Sequence, residues 1–305
     1  MKPRKFLLFL FECILVISLF LAACQPIASR TSGLPRVMAI ETFLQDIAQN
    51  VAGERLKVES LLPPTVDPHE YQPKPLDVTR LAQSQVLIVN GLGYETWLQK
   101  TLDNLDGQRQ VIVATTGLMP AVESSGGNSV SDPHMWMDPL NTISYVQQIR
   151  DGLTQADPAG KDLYASNAQT YISELQSLNG WAKDQVAQLP VERRLLVTNH
   201  DALGYFARAY GFKVVGAVIP SVTSDASPSA RQIVALIEAI NQSGAPVIFL
   251  NLGDNEKLAQ QISSETKVKI VTDLYVESLS GPVGPAPTYI EMIKHDVTVI
   301  VDALK

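Results

Sequence analysis

The sequence predicts an α/β fold of two parallel-sheet lobes with a long helical block between them. Three observations predict it. Short apolar runs alternate with stretches whose apolar residues recur every 3.6 positions, the marks of strands and helices in turn. The alternation stops over residues 141–190, where helical spacing continues almost unbroken. It then restarts and repeats in kind to the end of the chain.

In the first half, residues 37–40 are a short strand. Residues 42–51 place Phe43, Leu44, Ile47, Ala48 and Val51 on one helical face, closed by Gly53. A strand over 56–62 leads into a Pro-rich loop. A helix over 76–84, a buried strand over 86–89, a helix over 95–105 and a strand over 111–113 follow. Residues 123–131 read as a Gly/Ser-rich loop. The middle block opens with a helix over 141–155. Asp157-Pro158 then caps and starts the next helix. Its stripe runs from Tyr164 through Tyr171 and Leu178 to Val186. Unbroken, it would form a rod of roughly 45 Å, suited to a spine between lobes. Two ordinary helices broken near Gly180 are the alternative. In the second half, strands over 195–198, 214–219, 246–250 and 269–272 alternate with helices over 203–210, 229–241, 255–264 and 289–304.

The opening residues concern export. Lys2, Arg4 and Lys5 precede an apolar run that ends in Leu21-Ala22-Ala23-Cys24, the build of a secretory signal. An uncleaved anchor is the alternative, because the run is near the length of a spanning helix. The organisation expected is a signal over 1–23, a flexible tether over 24–35, one lobe over 36–140, the helical region over 141–190 and the second lobe over 191–305. Of the two cysteines, Cys13 lies in the signal and Cys24 is the first residue of the tether. The body therefore has no thiolate for a disulfide or a metal, and any ion must be held by nitrogen and oxygen. A net charge of −7 without a basic stripe argues against nucleic acid.

The chain has four histidines, and two sit in the same tripeptide, Asp67-Pro68-His69 and Asp132-Pro133-His134. Proline fixes its own φ and pushes the preceding residue out of the helical region. Each imidazole is thus offered from a stiff loop, although Asp-Pro also opens ordinary turns. His200 and Asp273 each follow an apolar strand of the second half, where open α/β sheets build their sites. His69, His134, His200 and Asp273 together make a four-ligand set that leaves a divalent ion at net +1. Zinc suits such nitrogen-rich coordination, whereas manganese wants more oxygen. Other readings stand beside these. His200 can hydrogen-bond a core edge, and Asp273 can be a turn or cap residue. Asp138 is either an acceptor orienting a ligating histidine or, the favoured reading, a charge at a helix N-terminus. Glu70 is an alternative carboxylate ligand. His295 lies off the apolar stripe of its helix and is expected in solvent.

At these residues the chain resembles the metal-binding lipoproteins of bacterial zinc and manganese ABC transporters, the cluster A-I binding proteins. The matching stretches are Asp-Pro-His-Glu-Tyr-x-Pro-x-Pro-x-Asp at 67–77, Asp-Pro-His-Met-Trp-Met-Asp-Pro at 132–139, Asn-His-Asp-Ala-Leu-Gly-Tyr-Phe-Ala-Arg-Ala-Tyr-Gly at 199–211 and Thr-Asp-Leu at 272–274. The resemblance covers essentially the whole chain after the leader. It implies two Rossmann-like lobes joined by one long rigid helix, with a metal in the interlobe cleft and little hinge motion. It implies a monomer that delivers zinc, or alternatively manganese, to a membrane permease driven by a cytoplasmic ATPase. The ligands it implies are His69, His134, His200 and Asp273. The Leu-Ala-Ala-Cys stretch resembles a lipobox, which implies lipid on Cys24 and tethering outside the cytoplasmic membrane.

Three departures bear on the ion. The stretch over 123–131 lacks the histidine-rich loop of many zinc members, which weakens zinc. His200 stands where manganese members often carry Glu, which favours zinc. Asn251 stands where the family commonly has an acidic residue. A secreted zinc hydrolase is the rival enzyme class, but it needs an open metal position, and neither His-Glu-x-x-His nor Gly-x-Ser-x-Gly occurs. A metal-dependent surface adhesin is the other rival. The expectation is a binding protein and not an enzyme.

Overall fold

The computed structural model describes residues 33–64, 66–125 and 128–305. The expected signal, Cys24 and nearly all of the tether lie outside the described residues. Residues 35–305 form one compact unit.

Two parallel sheets organise that unit. The first takes the order β2-β1-β3-β4, with β1 Val37–Ala39, β2 Val58–Ser60, β3 Val86–Val89 and β4 Gln110–Val113. The second takes the order β10-β9-β7-β8, with β7 Leu195–His200, β8 Lys213–Ile219, β9 Val247–Asn251 and β10 Lys269–Leu274. The helices of the first half are α1 Thr42–Ala52, α2 Pro75–Gln83 and α3 Thr96–Leu102. Two long helices follow, α4 Pro139–Ala156 and α5 Lys161–Val186. The second half adds α6 Gly204–Tyr210, α7 Ala230–Ser243, α8 Lys257–Thr266 and α9 Tyr289–Leu304.

Local chemistry sets these elements. The apolar face of α1 is wholly buried, and the helix ends at Gly53, whose φ of +58° admits no ordinary side chain comfortably. A Cβ there would also stand 2.6 Å from Asn167 Nδ2 on α5, so the glycine permits close packing as well. Asp138 caps α4 by accepting from Leu140 N–H, with Pro139 as the first helical residue. Ser229 and Gln232 close a capping box on α7.

The long helix is continuous through Gly180, and at 26 residues it spans roughly 39 Å. It packs along α4, α1 and α9. One apolar cluster therefore takes residues from both halves, including Phe43, Trp136, Leu175, Phe206, Phe249 and Ile293. Two smaller clusters lie on the outer faces of the sheets, one around Leu81 and Leu87, the other around Leu236 and Ile248. Among the described residues, no helix is long and apolar enough to cross a membrane.

One stretch differs from expectation. The loop read over 123–131 contains an antiparallel hairpin, β5 Val122–Ser125 paired with β6 Asn128–Ser131. Gly126-Gly127 between two short runs is a hairpin signal, which the small polar composition concealed.

Candidate metal centre

The carboxyl ends of both sheets meet at one cluster. His69, His134, His200 and Glu277 each offer a ligand atom, and those atoms all lie within 4.8 Å of one another. All four residues are buried, His134 completely and Glu277 to within 1%.

The loops that present them explain the sequence motifs. In both Asp-Pro-His copies the aspartate folds back on the histidine two residues later. Asp67 Oδ1 accepts from His69 N–H at 2.8 Å, and Asp132 Oδ1 accepts from His134 N–H at 3.0 Å. Asp132 does more: the same oxygen accepts from His134 Nδ1 at 2.9 Å. A carboxylate only accepts, so the proton sits on Nδ1 and the Nε2 lone pair faces the cluster. Behind His134, Asn90 Nδ2 donates to Pro133 O at 3.0 Å, and Tyr145 Oη donates to Asn90 Oδ1 at 2.6 Å. Glu95 in turn accepts from Asn90 N–H at 2.6 Å. His200 is the last residue of β7, and its carbonyl accepts from Thr198 Oγ1 at 2.7 Å. Tyr94 packs edge-on to the His69 ring, with centroids 4.7 Å apart.

Glu277 lies beyond β10 in a segment tied down on every side. Tyr275 N–H donates to Asp296 Oδ1 of α9 at 2.9 Å, and Val276 N–H donates to Asn251 Oδ1 at 2.9 Å. Trp136 Nε1 donates to Val276 O at 2.8 Å, and Leu279 N–H donates to Thr42 Oγ1 at 2.8 Å. Asn251, the departure at the end of β9, thus holds the backbone beside Glu277 and is not one of the clustered groups.

Distances within the cluster are those of groups around a shared centre. Glu277 Oε1 lies 3.2 Å from His69 Nε2, 3.3 Å from His200 Nε2 and 3.7 Å from His134 Nε2. His134 and His200 Nε2 are 3.4 Å apart. Neither Glu277 oxygen nor either His69 nitrogen makes a well-formed hydrogen bond, although all are buried. Leaving such groups without partners is costly. A cation at the centre would satisfy His69 Nε2 and the Glu277 carboxylate together, so the donor set fits an ion.

Electrostatics agree. Burial alone would push the Glu277 carboxyl up, but attraction from His200 and close contact with all three imidazoles hold it well below the usual carboxylate range. Burial opposes protonation of His134 and His200. For His134, contacts with Asp132 and Glu277 outweigh burial, and for His200 the nearby Glu277 does, so both stand above the ordinary imidazole value.

Asp273 does not join the cluster, which corrects the expectation for the fourth ligand. Strand β10 runs on to Leu274, and its pairing with β9 slips between Val271 and Leu274. At that irregularity the Asp273 side chain is 58% exposed, with Oδ2 3.4 Å from His295 Nε2. His295 Nε2 also donates to the Asp273 carbonyl at 2.8 Å. The His295 ring packs edge-on to Tyr275 and its side chain is only 15% exposed, so this histidine is not free in solvent as expected. Asp138 serves as the α4 cap, and Glu70 is exposed outside the cluster. Glu277 had a readable signal. It is a lone charge after the apolar run Leu274-Tyr275-Val276, and a charge in a buried run needs a partner.

Comparison with known proteins gives a consistent family. Residues 37–303 match the profile described as zinc-uptake complex component A, periplasmic (ZnuA). The manganese-binding lipoprotein MntA of Halalkalibacterium halodurans is 35% identical over 296 residues, covering 95% of this chain and 96% of MntA. The iron-binding protein YfeA of Yersinia pestis is 35% identical over 266 residues, covering 87% of this chain and 85% of YfeA. The solved structure of the periplasmic zinc-binding protein TroA from Treponema pallidum superposes with a TM-score of 0.82 at 28% identity, covering 89% of this chain and 99% of TroA.

Proposed function

The chain belongs to the ZnuA family of metal-transport binding proteins, whose members are not enzymes, and on that premise we propose that it captures one divalent transition-metal ion outside the cytoplasm and delivers it to an ABC permease. His69, His134, His200 and Glu277 are the ligands in this reading. The observation that carries it is the convergence of four buried donor atoms drawn from both halves of the chain. With three neutral imidazoles and one carboxylate, the loaded centre has net charge +1. Four protein donors leave no position for a reacting water, as a carrier's site requires.

Zinc is the ion we assign. A tetrahedron with bonds of about 2.0–2.1 Å has edges of roughly 3.3–3.4 Å. Four of the six separations, 3.2, 3.3, 3.4 and 3.7 Å, lie close to that, and all six lie within 4.8 Å. Manganese or iron is the second reading, and one observation favours it. Glu277 Oε2 is buried without a hydrogen-bond partner, so the carboxylate could bind through both oxygens and supply the oxygen-richer shell that manganese prefers. The names of MntA and YfeA, manganese-binding and iron-binding, keep that reading in play. Simple competition discriminates poorly, because most nitrogen–oxygen sites favour zinc over manganese. The test is elemental analysis of the full chain purified from its own cells without added metal. One equivalent of zinc supports the assignment, one equivalent of manganese or iron supports the second reading, and no stoichiometric transition metal overturns capture itself.

Export and anchoring belong to the same proposal. Cleavage before Cys24 and lipid on its sulfur would hold a monomer at the outer face of the membrane, near the permease. Cys24→Ser should release the protein from membrane fractions, and retention would instead support an uncleaved anchor.

A further inference from the structure

The loop between β8 and α7 reaches across to the His69 loop. Ser224 Oγ donates to Asp67 Oδ2, while Asp67 Oδ1 accepts from His69 N–H at 2.8 Å. One carboxylate therefore joins a ligand-bearing loop of the first half to a loop of the second. Both partners line a polar mouth of about 190 Å³, which also takes in Glu70, Asn199, Asn251 and Asp254. Asp254, Asn199 and Asn251 line in addition the small space against His200. The mouth thus adjoins the small space against His200, and three carboxylates, Asp67, Glu70 and Asp254, line it, which suits a cation.

We propose that this mouth is the ion's way in and out, and that the Ser224–Asp67 hydrogen bond is the latch that holds it closed over the loaded site. The inference rests on the reading of the cluster as a metal site. His69 lies two residues beyond Asp67, and the chain after His200 is tied to the Ser224 loop, where Asp201 N–H donates to Ser221 O at 2.8 Å. An ion held by both histidines leaves when these two loops part. Parting them breaks a hydrogen bond to a charged acceptor, a contact stronger than a neutral one. The latch therefore acts on residence time. It leaves the donor set unchanged, so the amount of ion bound stays the same.

The test is stopped-flow release of zinc from the loaded full chain into excess chelator, with the wild type, Ser224→Ala and Ser224→Thr compared. Ser224→Ala should release zinc roughly tenfold faster, equivalent to about 1.4 kcal/mol, with one ion still bound per chain. Ser224→Thr keeps the hydroxyl and should release at close to the wild-type rate. Release from Ser224→Ala at the wild-type rate would overturn the latch, as would release from Ser224→Thr as fast as from Ser224→Ala. A wild type that binds no stoichiometric zinc would remove the site reading, and the latch with it, so the two failures are told apart by which arm fails.

Discussion

Glu277 and Asp273 stand four residues apart and differ in almost every physical respect. Glu277 is buried against three imidazoles, whereas Asp273 is mostly exposed beside His295. Glu277→Gln should lower zinc affinity by more than the roughly 10–100-fold that loss of an orienting partner costs, because it removes the only charge on the cage and leaves a weaker amide oxygen in place of a carboxylate one. Asp273→Ala should leave affinity within about twofold, a change no larger than surface substitutions usually produce. Titration calorimetry measures both, and the reverse ranking would restore the set expected from sequence. Asp132 acts one step back from the ion by fixing the His134 tautomer. Asp132→Asn should cost roughly 10–100-fold in affinity with the fold intact. At this scale the sequence was informative where two neighbours constrained the reading. The Asp-Pro-His copies located two histidines because the tripeptide dictates its own turn. The sequence reading places a fourth donor at Asp273, whereas a bulge in β10 turns that side chain away from the cluster, and nothing in the local spacing announces a slip that depends on pairing with β9.

Helices α5 and α9 carry the predictions at the scale of elements. Gly180 sits on the exposed side of α5, and a Cβ there would meet nothing within 4 Å. Gly180→Ala should stabilise the protein by about 0.5–1 kcal/mol in urea unfolding, since the helix is continuous and glycine only adds freedom to the unfolded chain. Loss of stability would mean that the helix needs a break there. On α9, burial pushes the Asp296 carboxyl up to about 8, only partly offset by the hydrogen bond it accepts from Tyr275 N–H. A folded value raised above the unfolded one favours the native state at low pH. That contribution is complete below about pH 4 and is lost as pH rises through about 8. Asp296→Asn keeps an acceptor for Tyr275 and cannot ionise. It should therefore be the more stable form at pH 9, by on the order of a few kcal/mol, with the gap closing toward pH 4. A gap that widens on acidification would contradict this account of α9. Element identities were largely legible because apolar period separates long helices from buried strands. The β5–β6 hairpin was not, since its short polar strands carry little periodic signal.

Across the whole molecule, the cluster exists only because both sheets end at the same place. The parallel arrangement follows from alternating strands and helices, and the shared core holds the two halves in that register. Chain order alone could suggest that His69, His134 and His200 meet, but not which carboxylate completes them. The assembled site makes metal binding a competition with protons. His134 and His200 hold protons more readily than free imidazole, so an ion must displace them from Nε2 at low pH. Affinity should begin to fall above about pH 6.5 and continue to fall on further acidification. A flat profile from pH 8 to 5 would contradict ligation by these rings. The most direct measurement of the central claim is X-ray absorption at the zinc edge of the loaded protein. The account predicts three imidazole nitrogens and one carboxylate around the ion. A shell with fewer than three imidazoles, or one filled mainly by water, would contradict it.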